Sequence, residues 1–68
     1  LKPNSPNTLY NKACCYALQG NLDLAIESLQ QAVDLSPDEY REIARTNSDF
    51  DRLRCDQRFS ALINEGNR

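Results

Sequence analysis

Histidine is absent from this chain of 68 residues, and so is any pair of cysteines spaced two apart. Without them, neither a zinc site nor a dithiol redox motif has a ligand set. The three cysteines are an odd number that cannot pair off completely, so a reducing cytoplasm is the default compartment. Two glycines make no phosphate-cradling loop, and no nucleophile stands beside an evident base; these gaps argue against an enzyme, and no cofactor is expected. A basic excess is also missing. The net charge of −2 argues against a nucleic-acid surface, which needs a basic stripe to recruit phosphates. No charged start leads into an apolar run, and no apolar stretch approaches the roughly 18 residues of a membrane span, so the chain reads as soluble. It begins with Leu1 rather than methionine, as a fragment would. A core of this size rarely contributes more than about 3–5 kcal/mol without a staple, and none is evident.

What is present is unevenly distributed. Residues 1–37 carry five charges (Lys2, Lys12, Asp23, Glu27, Asp34), and residues 38–68 carry thirteen of both signs. The front half is a packing and contact unit, and the back half has a solvated outer face. Leu1-Lys2-Pro3 echoes Leu35-Ser36-Pro37 at an interval of 34 residues.

Ser5 and Pro6 predict a helix start, with Ser5 as N-cap and Pro6 at the first helical position. Leu9, Ala13, Tyr16 and Ala17 recur at helical spacing to about Gln19, and Gly20 then ends helix A in the left-handed conformation. Asn21 is the expected cap of helix B, about Leu22 to Leu35, with Leu22, Ala25, Ile26, Leu29, Ala32 and Val33 on one stripe. So short a turn makes the two helices antiparallel neighbours. Ala13, Ala25 and Ala32 are the expected points of closest approach, where small side chains let ridges enter grooves. Ser36-Pro37-Asp38-Glu39 reads as a capping box that opens a third helix, 37–45. The pattern fails at Asn47, where the first repeat has Ala13. A helical tail over 49–64 follows, with Phe50, Leu53, Phe59, Leu62 and Ile63 as its apolar groups and Asp56 as the cap of a last helix. The whole is one all-α domain, 1–68: an antiparallel helix pair, a capping helix and a short C-terminal helical tail.

The 34-residue interval is the period of the tetratricopeptide repeat. Tyr10-Asn11-Lys12-Ala13-Cys14-Cys15-Tyr16-Ala17-Leu18-Gln19-Gly20, followed by helix B and the tail from Asp49 to Leu62, resembles the closing unit of bacterial tetratricopeptide arrays. The resemblance implies a protein-binding role at the C-terminal end of a longer array. Lys12 departs from the pattern, standing where the family usually has leucine. A stacked repeat leaves an apolar face open at each end, and residues 38–63 would cover one of them.

In that family the first helix of each pair lines a concave groove, and alignment carries its groove positions onto Asn7, Tyr10, Cys14, Ala17 and Leu18. They share one stripe, distinct from the expected packing face of Leu9, Ala13 and Tyr16, and suited to an extended or helical peptide. The alternative is that the chain's own third helix or a neighbouring molecule fills the groove. A carboxylate clamp of the kind seen in some members would use Asn11, Arg41 and Arg45, the arginine forks holding a terminal carboxylate. Against this, Arg41 and Arg45 can pair with Asp38 and Glu42 on a solvated face. Cys15 is expected to pack beside Tyr16, and Cys14 and Cys55 to be accessible. The functional expectation is a non-catalytic module binding a protein or peptide through the concave face. The alternative is a structural cap or self-associating segment without a separate ligand.

Overall fold

The computed structural model describes residues 5–64. Four α-helices form, α1 (Pro6–Gln19), α2 (Leu22–Leu35), α3 (Pro37–Thr46) and α4 (Gln57–Asn64), with a 3₁₀ segment, Ser48–Leu53, between the last two. There is no strand among the described residues. The echoing Leu1-Lys2-Pro3 lies outside them.

Local chemistry explains each junction. Ser5 sits in extended backbone, ψ 151°, and its hydroxyl accepts the Thr8 N–H at 3.3 Å. Pro6 occupies the first turn, where a missing N–H costs nothing. Gly20 ends α1 at φ 83°, and Asn21 N–H reaches back to the Tyr16 carbonyl at 2.9 Å. That left-handed turn is the stop glycine permits.

Two expected caps are not made. Asn21 and Ser36 adopt ψ of 78° and 76°, and neither side chain bonds the first turn of the helix that follows. The physical reason is that each joint is too short to leave room for extended backbone. Ser36 alone separates α2 from α3, with its N–H on the Ala32 carbonyl and its carbonyl accepting Tyr40 N–H. The capping box read from Ser36 and Glu39 therefore contributes only through Pro37 and the acidic first turn of α3.

α1 and α2 pack as a helical hairpin around side chains no larger than a methyl group. Ala13, Ala17, Ala25 and Ala32 have no exposed surface. Leu29 and Val33 fill the space beside them. Residues 37–64 fold over one flank of this hairpin, where Phe50 and Leu53 reach 0% exposure and Phe59, Leu62 and Ile63 lie at 5% or less. Burial on this scale contributes about 1.5–3 kcal/mol for each large side chain, so the flank needs the tail as much as the tail needs the flank.

Candidate interaction surface

α1 is packed on two sides rather than one. Leu9, Ala13 and Ala17 belong to the buried core, as do Tyr10 and Ala44, whereas Tyr16 is only half-buried. The stripe expected to be open thus divides. Tyr10 and Ala17 are covered, Cys14 is half-buried, and Asn7 and Leu18 are exposed, Leu18 at 62%. The cover over Tyr10 is the chain's own, from Tyr40 of α3 and from the 3₁₀ segment, which packs on α1.

Aromatic contacts build that cover. The Tyr10 ring lies 5.3 Å from Tyr40 and meets Phe50 edge-on at 5.7 Å; Phe50 in turn stands 5.8 Å from Phe59. Offset and edge contacts of this kind add about 0.5–1.5 kcal/mol each beyond the area they bury. Asn47 completes the arrangement. Its side-chain amide donates to the Tyr10 hydroxyl oxygen and approaches the Cys14 sulfur at 3.8 Å, while its Oδ1 accepts the Asp49 N–H at 2.9 Å. Burial raises the pKa of Tyr10, and the Asn47 amide offsets part of that rise. Burial likewise pushes the Cys14 thiol up, so it stays protonated at neutral pH.

Three arginines tie the cover down. Arg54 donates to Asp51 at 2.9 Å, to the Arg45 carbonyl at 2.8 Å and to the Asn47 carbonyl at 3.0 Å, and its guanidinium stands 6.0 Å from the Phe59 ring centroid. Arg41 Nε donates to the Leu62 carbonyl at 3.1 Å, joining α3 to α4. Arg58 bridges Asp23 of α2 at 2.8 Å and Asp56 at 2.9 Å. Its hydrogen bonds hold Asp56 below the usual carboxylate range.

Of the clamp residues, Asn11 is exposed on α1, Arg41 is engaged with Leu62, and Arg45 faces Glu42 at 3.5 Å across solvated side chains. The two arginines are thus used within the chain. The cysteines are also arranged differently from expectation. Cys15 is exposed and Cys14 half-buried, because the packed side of α1 extends to Tyr10, while Cys55 is exposed as expected. Arg54 and Arg58 were not singled out by the sequence, and Asn47 was noted only as the point where the repeat pattern fails. Their only signal is the Asn47-Ser48-Asp49 turn and the density of arginine in the tail.

The other side of α1 is uncovered. Thr8, Asn11, Lys12, Cys15 and Tyr16 line a shallow groove of about 370 Å³, and a second of about 310 Å³ is lined by Leu9, Gln31, Asp34 and Leu35. Among the described residues, no helix is long and apolar enough to cross a membrane.

A helical hairpin joined at a left-handed glycine, packed through alanines and continued by a third helix, defines an α-helical repeat. The family model of the tetratricopeptide repeat matches residues 6–39, half the chain, and the chain belongs to that family. Such repeats are non-catalytic and generally mediate protein–protein interaction. No curated protein and no solved structure gives a significant match.

Proposed function

We propose that this chain closes a tetratricopeptide array and is a module that binds a protein or peptide partner through the inner face of α1. The observation carrying this reading is the asymmetry of the hairpin. One flank is sealed by Phe50, Leu53, Phe59 and Leu62, all at 3% exposure or less, while the other presents Thr8, Lys12, Cys15 and Tyr16 along a groove. A cap with one dry side and one open side is what the end of a stacked array requires. On the inner face the partner meets Asn7, Asn11 and Leu18, with Cys14 at the edge of the covered part; Leu18 is the apolar anchor.

A panel of extended and helical peptides titrated against the chain by fluorescence anisotropy tests the reading. Leu18→Asp is expected to weaken each binder about tenfold or more, because a carboxylate resists the desolvation that leucine favours. Gln30→Glu, on the exposed side of α2, leaves affinities unchanged. Equal affinities for the parent and Leu18→Asp would remove the α1 face from the reading. With Arg41 engaged by the Leu62 carbonyl and Arg45 facing Glu42 on a solvated face, free and amidated peptide C-termini are expected to bind equally, and a preference for the free carboxylate would support the clamp.

The burial of Tyr10 and Ala17 favours one second reading, a structural cap or self-associating segment without a separate ligand. Sedimentation velocity at several concentrations separates the two: a mass that climbs with concentration supports self-association.

A further inference from the structure

The inner face of α1 carries no charge of its own. Asn7, Asn11, Cys14 and Leu18 are neutral, and Lys12, the one charged residue of the helix, lines the groove on the other side. Charge reaches the rim of the inner face from the 3₁₀ segment instead. Three residues per turn give that segment three sides. Phe50 and Leu53 form the buried one, while Asp51 and Arg54 form a second and satisfy each other at 2.9 Å. Asp49 and Arg52 form the third and stand in the same i, i+3 relation, yet among the described residues neither has an ion pair. They are held apart along α1. The half-buried Asp49 lies close enough to Tyr10 and Cys14 for its charge to add, behind burial, to the raised pKa of both. The Arg52 guanidinium lies at the far end, 3.4 Å from where a Cβ on Gly20 would be. The last turn of α1 has no basic residue of its own, so the helix dipole favours a cation at that place. Leu18, 62% exposed, falls between Cys14 and Gly20 along the helix.

We propose that this rim reads charge: a peptide docked along the inner face of α1 presents a basic side chain to Asp49, an apolar one to Leu18 and an acidic one to Arg52. The proposal rests on the reading of that face as the binding surface and adds the chemistry of the partner. From Tyr10 and Cys14 to Gly20 the helix advances about 9–15 Å, at about 1.5 Å per residue. An extended chain advances about 3.3 Å per residue, so about four residues cover the span, and alternate side chains share one face. The partner class is therefore an extended peptide with basic, apolar and acidic residues at alternate positions. Its two chain directions correspond to Lys-x-Leu-x-Glu and Glu-x-Leu-x-Lys. The apolar contact comes from α1, and the choice between partners comes from the tail.

Fluorescence anisotropy of the full chain at low ionic strength, with both labelled peptides and a counterpart carrying glutamine at the two charged positions, tests the proposal. One charged peptide is expected to bind about five- to twentyfold more tightly than the neutral one, and the excess should shrink in 1 M salt. Asp49→Asn and Arg52→Gln should each remove about two- to fivefold of that excess and leave the neutral peptide unchanged. Asp49→Lys combined with Arg52→Glu should transfer the preference to the other charged peptide, an exchange that loss of fold does not produce. Equal affinities for charged and neutral peptides, or a preference that these variants leave in place, would overturn the proposal. If Leu18→Asp still weakens binding in that case, the α1 face stands as the binding surface without the charge assignment. Absence of binding by all three peptides, or binding that Leu18→Asp leaves unchanged, overturns the reading of the face and the proposal with it.

Discussion

Methyl-sized side chains decide how closely α1 and α2 lie, because Ala13, Ala25 and Ala32 leave no surface between the two helices. Ala25→Leu is expected to destabilise the chain by about 1–3 kcal/mol through overpacking, read as a lower midpoint in urea unfolding at unchanged slope. Gly20 is constrained differently. A Cβ there meets nothing closer than 3.4 Å, from the Arg52 guanidinium, so the obstacle is the φ of 83° and not space. Gly20→Ala should cost about 1–2 kcal/mol, and each kcal/mol lowers Tm by about 4–8 °C in a domain of this size. Both positions were legible in the sequence, the alanines from their helical spacing and the glycine from its place after the last apolar residue of α1. Asn47 was not. It stands where the first repeat has Ala13, and nothing in a one-dimensional pattern shows that the amide left over would point at Tyr10 and Cys14. The same blindness exchanged Cys14 and Cys15. Neighbours on a helix differ by about 100° of rotation, and the spacing of Leu9, Ala13 and Tyr16 leaves the centre of the packed face undetermined to about that angle.

Among elements, the backbone angle before a helix decides whether its cap is used. Ser5 and Asn47, at ψ 151° and 121°, bond the turns they precede, whereas Asn21 and Ser36, at 78° and 76°, do not. Ser5→Ala should therefore lose about 0.5–2 kcal/mol in thermal or chemical melts, and Ser36→Ala markedly less. The existence of helices over these stretches followed from apolar spacing and from Pro6 and Pro37. Cap chemistry did not, because a serine before a proline looks the same whether one residue or several precede it. The Asp23–Arg58–Asp56 bridge joins α2 to the start of α4 through the exposed side chains of Asp23 and Arg58 and the half-buried Asp56. Arg58→Ala should lower Tm at low ionic strength, and the difference from the parent should shrink toward zero in 1 M salt.

At the scale of the whole molecule, the titrating groups set a window of stability. The pKa values of Tyr10, Tyr40 and Cys14 are all raised, in each case by burial first. The folded chain thus holds protons that the unfolded chain releases, and their stabilisation is complete below about pH 9 and lost as pH climbs through the folded values. Asp56 acts at the other end, since its lowered pKa gives stability that is present above about pH 4 and lost as pH falls below it. Unfolding free energy measured from pH 3 to 11 should be flat in the middle and fall at both ends, with Tyr40→Phe softening the alkaline fall. The tail illustrates what was legible at this scale. Phe50, Leu53, Phe59 and Leu62 were readable as apolar cover, but the face they cover was not, because that depends on a turn at Asn47 fixed by side-chain bonds.

The single residue between α2 and α3 has a geometric consequence. With Pro37 restricting φ and Ser36 belonging to both helix ends, the orientation of α3 is inherited from α2, and Arg41 passes it on to α4. The joint is therefore sensitive to length rather than to chemistry. One inserted residue would turn α3 by about 100° about its own axis, swinging Tyr40 out of the aromatic stack and carrying the Leu62 carbonyl away from its donor, while a glycine in place of Ser36 would leave the count intact.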